Sequence, residues 1–146
     1  MSDFQVRRLI RFSDCDPAGI VFYPQYFVMM NGLIEDWFDG PLGIGYRRFI
    51  AERGLGLPTV RLEADFRAVS RFGEDVFLSL CMQRMGEHSL TLQLTCRSAA
   101  DGELRMRSKQ VIVTTSLQTH RPVQIPSDLR EAIRREIPEC IEKETT

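Results

Sequence analysis

The stretch Ser13-Asp14-Cys15-Asp16-Pro17-Ala18-Gly19-Ile20-Val21-Phe22-Tyr23-Pro24-Gln25-Tyr26-Phe27 decides how the rest of the chain is read. It is a polar loop, punctuated by proline and glycine, that runs directly into an apolar segment. Asp14 and Asp16 stand two residues apart in it. Pro17 and Gly19 demand a tight, irregular backbone. Pro24 marks a helix start, because the missing N–H of a proline has no partner to lose there. The amide N–H groups around Pro24, that of Tyr23 included, then point out of the helix without acceptors. They carry the positive end of the helix dipole. One short loop therefore offers a carboxylate and free amide donors together. That combination suits a carboxylate nucleophile or base acting beside a developing oxyanion. The same residues also suit a plainer purpose, since aspartates in such loops cap turns and helix starts.

The flanks give the loop its setting. Upstream, Phe4, Val6, Arg8, Ile10 and Phe12 alternate with Gln5, Arg7, Leu9 and Arg11, which predicts a half-buried strand over 4–12. Downstream, Tyr26, Met29, Met30, Leu33, Ile34, Trp37 and Phe38 recur at helical spacing and predict a long helix from Pro24 to Asp39. Phe27 and Val28 widen its apolar face, so the helix must be wrapped on most sides, as by a curled sheet. Gly40-Pro41 ends it. Tyr46 to Arg53 reads as a short second helix closed by Gly54. From Pro58 onward the chain reads as strand: 60–67, 76–83, 90–97 and 103–116, parted by turns at Gly73-Glu74-Asp75, Gly86-Glu87 and Asp101-Gly102. These four strands read as an antiparallel meander, and the first strand brings the sheet to at least five. Ser127 opens a charged surface helix over 128–137, and 139–146 reads as a disordered tail. The class is α+β: one antiparallel sheet around one long apolar helix, in a single domain over 1–146.

Composition narrows the function. Net charge is −1, which gives no reason to expect nucleic acid or an anionic membrane surface as partner. No apolar run approaches the roughly 20 residues of a membrane span. Met1-Ser2-Asp3-Phe4-Gln5 lacks the basic-then-apolar pattern of a secretion signal. Cys15, Cys81, Cys96 and Cys140 have no C-x-x-C spacing, so they read as reduced thiols in a cytoplasmic protein, with no metal site. His88 and His120 are the only histidines, too few for a histidine-rich metal centre, and a catalytic triad is not expected. Cys15 makes a poor nucleophile: no histidine adjoins it, and two carboxylates flank it.

The run Asp14-Cys15-Asp16-Pro17-Ala18-Gly19-Ile20-Val21-Phe22-Tyr23-Pro24 resembles the signature loop of the 4-hydroxybenzoyl-CoA thioesterase family, and the helix and strands that follow carry the likeness over nearly the whole chain. The resemblance implies a hotdog fold and hydrolysis of an aromatic or short-to-medium-chain acyl-CoA, with coenzyme A as part of the substrate and no cofactor. It implies a homodimer or homotetramer, with the site between protomers. It casts Asp16 as the catalytic carboxylate, attacking the thioester carbonyl or activating water, and the Tyr23 backbone N–H as the donor that polarises that carbonyl. Asp14 reads as structural. Gly19 lets the backbone approach a ligand or adopt a positive φ. Phe22 and Tyr26, with Phe27 and Met30, are candidates for the acyl pocket. Asn31 stands where hydroxybenzoyl-type members carry an Asp. His88 and Ser89 fall in the turn where such members place cations for the coenzyme A phosphates, and Arg84, Arg105 and Arg121 are further candidates. Two other readings share the fold: a thioesterase acting on acyl carrier protein, and a non-catalytic acyl-CoA-binding module.

Overall fold

The computed structural model describes residues 3–136 and Cys140. In chain order the elements are β1 (Phe4–Leu9), α1 (Tyr23–Asp39), β2 (Leu55–Gly56), β3 (Thr59–Phe66), β4 (Asp75–Met85), β5 (Ser89–Ser98), β6 (Leu104–Val113), β7 (Thr115–Ser116) and α2 (Ser127–Glu136). Five strands form one antiparallel sheet in the order β1-β4-β5-β6-β3. β2 and β7 form a separate two-stranded ribbon.

The period-2 pattern of the central strands places Val76, Leu78, Leu80 and Met82 of β4 on one face with Leu90, Leu92, Leu94 and Cys96 of β5, all buried. The 3.6-period stripe of α1 meets that face through Met29, Met30, Leu33, Ile34, Trp37 and Phe38, also all buried. Burying each such leucine or methionine contributes on the order of 2 kcal/mol. The long apolar helix and the sheet that covers it are thus each other's solvent, as the sequence pattern requires. No helix among the described residues is long and apolar enough to cross a membrane.

The strands do not form the simple meander that their tight turns suggest. Only β4, β5 and β6 do. β3 pairs with β6, from Thr59↔Ile112 to Phe66↔Met106, on the far side of the sheet from β1. Its link to β4, residues 67–74, is therefore a strap crossing one end of the sheet rather than a hairpin turn. The predicted first strand stops at Leu9, because Phe12–Asp14 tightens into a 3₁₀ turn in which the Arg11 amide donates to the Asp14 carboxylate at 2.8 Å. The last predicted strand breaks at Thr114, whose hydroxyl and amide bond across to Val123 and His88. The second helix is a π-helical turn, Arg48–Glu52. α2 is less solvated than its charges suggest, since Leu129, Ala132 and Ile133 are buried.

Two of the four cysteines also depart from expectation. Cys81 on β4 and Cys140 are joined by a disulfide, and the Cys140 amide donates to the Met82 carbonyl at 3.1 Å. Only Cys15 and Cys96 are free thiols. The two bonded residues lie 59 apart in sequence. Apart from Cys140, the tail at 139–146 falls outside the described residues.

Candidate active site

The loop after β1 is a miniature hairpin. Cys15 bridges Val21, the Asp16 amide donates to the Ile20 carbonyl at 3.0 Å, and the Phe22 amide donates to the Asp14 carbonyl at 3.0 Å. Its tip is a tight turn: the Gly19 amide donates to the Asp16 carbonyl at 2.9 Å, with Pro17 and Ala18 at the centre. Asp, Pro and Gly occupy the positions at which each is favoured in a type I turn. Gly19 sits at φ 80°, a left-handed backbone that a side chain strains.

The two aspartates have separate fates. Asp14 is buried and closed off: its carboxylate accepts from the Arg11 amide at 2.8 Å and from the Arg8 guanidinium at 3.0 and 3.3 Å. Asp16 is half-buried. One of its oxygens, Oδ1, accepts from the Ala18 amide at 2.9 Å, while Oδ2 has no partner among the described residues. Asp16 therefore both shapes the turn and keeps one oxygen free for chemistry.

The helix start shows the complementary feature. The Val21 amide donates to the Ser70 carbonyl, the Phe22 amide to Asp14 and the Gln25 amide to Phe22, at 3.0, 3.0 and 2.8 Å. Pro24 has no N–H. The Tyr23 amide, between them, has no acceptor among the described residues. A free N–H at the positive end of a 17-residue helix is an anion-binding donor.

Phe22 and Tyr23 are exposed. Tyr26 is buried, and its hydroxyl donates to Ser70 Oγ at 2.9 Å. Asn31 lies two turns along α1, at a cavity of about 220 Å³ lined also by Glu35, Tyr46, Thr59, Gln110 and Ile112. Burial and the neighbouring Glu35 carboxylate push the Tyr46 hydroxyl above its usual value, so it stays neutral. His88 and Ser89 sit in the β4–β5 turn. The 11 residues of β4 separate that turn from the Asp16 end of the sheet by roughly 35 Å. One protomer thus brings Asp16, Gly19, Phe22 and the Tyr23 N–H together and leaves His88 and Ser89 remote from them. Arg105 is buried against Glu74 and cannot reach a soluble phosphate. Burial and the carboxylates of Asp14 and Asp16 push the Cys15 thiol up, away from a reactive thiolate.

Three supports of this site carry no sequence signal. Arg8, Ser70 and Glu74 are single polar residues in strand or strap; Arg8 reaches Asp14 from β1, and only the crossing of 67–74 under the loop brings Ser70 and Glu74 to it. Ser70 is the plainest case, a serine with no exposed surface.

A family model described as the thioesterase-like superfamily matches residues 10–133. The 4-hydroxybenzoyl-CoA thioesterase of Pseudomonas sp. (strain CBS-3) is 25% identical over 132 residues, covering 86% of this chain and 94% of that enzyme. A 1,4-dihydroxy-2-naphthoyl-CoA hydrolase of Synechococcus elongatus is 33% identical over 87 residues, 59% of this chain and 63% of that enzyme. The crystal structure of a 1,4-dihydroxy-2-naphthoyl-CoA thioesterase from Synechocystis superposes with a TM-score of 0.83 at 22% identity, over 90% of this chain and 96% of that one. The loop, the helix start and every strand of the five-stranded sheet except β1 lie inside the family match, so the chain belongs to the thioesterase-like superfamily, and it is a thioester hydrolase of the hotdog fold.

Proposed function

We propose that this protein hydrolyses aromatic acyl-CoA thioesters, with Asp16 as nucleophile or general base and the Tyr23 backbone N–H as the donor to the thioester oxygen. The observation that carries the reading is the pairing of an unpartnered amide at a helix start with a carboxylate that has one free oxygen, both on one short hairpin. A thioester carbonyl is already electrophilic, so one amide and the helix dipole supply useful polarisation. Asp16 then adds to the carbonyl carbon, expelling the coenzyme A thiolate and leaving a mixed anhydride for water to open. Alternatively it takes the proton from a water that attacks directly. Thiolate is a good leaving group, so neither route needs a strong general acid.

The aromatic acyl group is supported by the named substrates of the relatives and by the polar lining of the Asn31 cavity, which suits ring hydroxyls better than an alkyl chain. The reading includes a dimer. β3 is an edge strand on which Val60, Leu62 and Phe66 are exposed, and Phe66 packs edge-on against the exposed Tyr23 of α1. Such an edge is a template for a second copy. Antiparallel pairing of β3 with itself lays the Thr59 end of one copy beside the Phe66 end of the other. That operation brings the Asn31 cavity and the His88-Ser89 turn of one protomer toward the Asp16 loop of its partner. It gives the two remote halves of the predicted site a way to meet.

The test is thiol release from a panel of benzoyl-, hydroxybenzoyl-, phenylacetyl- and straight-chain acyl-CoAs. Preference for a hydroxylated aromatic group supports the reading. Turnover confined to carrier-protein thioesters, or binding of every CoA thioester without release, overturns it.

A further inference from the structure

The strap 67–74 is the floor on which the loop and the helix start rest. The Ser70 carbonyl accepts the Val21 amide at 3.0 Å, Ile20 bridges Arg71, and the Phe72 amide donates to the Gly19 carbonyl at 2.9 Å. From the helix side, the Tyr26 hydroxyl donates to Ser70 Oγ at 2.9 Å. The strap is in turn fixed from below by one side chain. Arg105 of β6 donates from its Nη1 to the Val69 carbonyl at 2.8 Å, Glu74 Oε1 at 2.7 Å and Ser70 Oγ at 3.3 Å, three acceptors sharing two hydrogens. Its Nε lies 2.9 Å from the Glu103 carboxylate. The Arg105 backbone carbonyl receives the amides of Arg67 and Ala68 as well. Glu74 also accepts the Arg71 amide at 2.8 Å, which closes the strap on itself.

This is a dense polar network in a buried place. Arg105, Ser70 and Tyr26 are each at least nine-tenths buried. Burying a guanidinium is expensive unless it is paired and hydrogen-bonded, and core packing alone asks for neither. Every acceptor of its Nη1 lies on the strap; the strap also pairs with Ile10 just past β1, and its bonds to Gly19, Ile20, Val21 and Tyr26 bracket the reacting groups. A shift of the strap is therefore a shift of the Tyr23 amide relative to Asp16.

We infer that Arg105, Ser70 and Tyr26 form a positioning relay that holds the oxyanion-binding amide of Tyr23 in register with Asp16. The inference rests on the roles proposed above for Asp16 and the Tyr23 amide. None of the three relay residues touches the substrate in this account; each acts through the strap and the first turn of α1.

The test compares Tyr26→Phe, Ser70→Ala, the double variant and Arg105→Lys with the parent full-length chain, at a temperature well below every unfolding midpoint. Loss of a hydroxyl from the relay is expected to lower kcat about tenfold to a hundredfold, the scale on which small misplacements act, with KM within about twofold. Tyr26→Phe and Ser70→Ala break the same bond, so the double variant is expected to be no slower than the worse single one. Arg105→Lys keeps the charge beside Glu74 but loses the Nε contact with Glu103 and the rigid guanidinium plane that aims Nη1 at Val69, Ser70 and Glu74. It is expected to hold most of the thermal stability while sharing the kcat loss. Unchanged kcat in Tyr26→Phe and Ser70→Ala, with lowered midpoints, overturns the inference and leaves a structural network. Undiminished turnover in Asp16→Asn overturns the active-site reading instead, so the two failures are distinct.

Discussion

The Arg8 guanidinium grips both oxygens of the Asp14 carboxylate, at 3.0 and 3.3 Å, and closes the base of the loop that carries Asp16. The pair has little contact with water on the aspartate side, where 7% of the side chain is exposed. Removing the charge from Asp14 weakens three hydrogen bonds and leaves Arg8 without its counterion. Asp14→Asn is expected to lower stability by about 2 kcal/mol. In a domain of this size that is a fall of about 6 °C in unfolding midpoint. Calorimetry of the variant checks it, and an unchanged midpoint would show that the clamp contributes nothing.

Asp16 answers differently because its environment differs. Its Oδ1 bond to the Ala18 amide survives in Asp16→Asn, so the turn should keep its shape. The free oxygen becomes an amide group unable to attack or accept a proton. The expected outcome is a loss in kcat on the order of 10³-fold, KM within a few-fold and a midpoint within a degree or two. Steady-state kinetics with the preferred acyl-CoA decides it, alongside a melting curve.

Glu74 ties stability to acid pH. Its carboxyl is held below the ordinary glutamate value chiefly by the Arg105 hydrogen bond, then by the Arg71 amide. The folded state therefore takes up a proton less readily than the unfolded state. The associated stability is fully present above the ordinary value near 4.5 and is lost as pH falls from there through the lower folded value. Asp128, lowered by Arg53, adds a loss of the same sign. Urea titrations at pH 7, 5, 4 and 3.5 should show Glu74→Gln less stable than the parent at pH 7, with a shallower decline below pH 5. Parallel profiles would remove Glu74 from the acid response.

Much of this architecture is legible in the chain because its signals are local. The α1 stripe, the Pro24 helix start and the alternation of 90–97 each lie within a dozen residues, and each is where the pattern puts it. The Asp16 turn is equally local, since Asp, Pro and Gly occupy consecutive turn positions. What escapes is what the crossing of 67–74 creates. Nothing near Ser70 or Arg105 announces that β3 pairs with β6, so the strap reads as a turn and Arg105 as a surface cation. The Cys81–Cys140 bond is hidden for the same reason: its partners meet only after the chain has passed α2. The proposed halves of the site escape differently. Asn31, His88 and Ser89 are read in one chain, where β4 keeps the His88 turn far from Asp16.

The thiols can be counted directly. Denatured without reductant, the protein should give two free thiols per chain, Cys15 and Cys96, and four after reduction. In the native state Cys96 should be silent, because burial pushes its thiol up to about 12 and leaves it no exposed surface. Reduction opens a loop of 59 residues, which in the chain-entropy model costs at most about 4 kcal/mol. Four thiols before reduction would refute the bond.

The proposed pairing of β3 with a second copy has a definite register. Leu62, Ala64 and Phe66 occupy one face of the strand, and Arg61, Glu63 and Asp65 the other, with the alternation broken by a bulge at Val60. A two-fold axis at Glu63 would set that carboxylate against itself. An axis at Ala64 would oppose Glu63 to Asp65, like against like. An axis at Leu62 sets Arg61 against Glu63 twice and meets Leu62 with Leu62. Like charges directly opposite destabilise a sheet, and opposite charges or paired apolar groups stabilise it. Residues facing each other across such a pair have Cβ atoms about 5 Å apart, close enough for a disulfide with slight adjustment. In a Cys15→Ser background, Leu62→Cys should therefore cross-link between copies under mild oxidation, and Ala64→Cys should not. A non-reducing gel reads the result. Cross-linking at residue 64 instead would move the axis, whereas a monomer in sedimentation would remove the β3 interface itself.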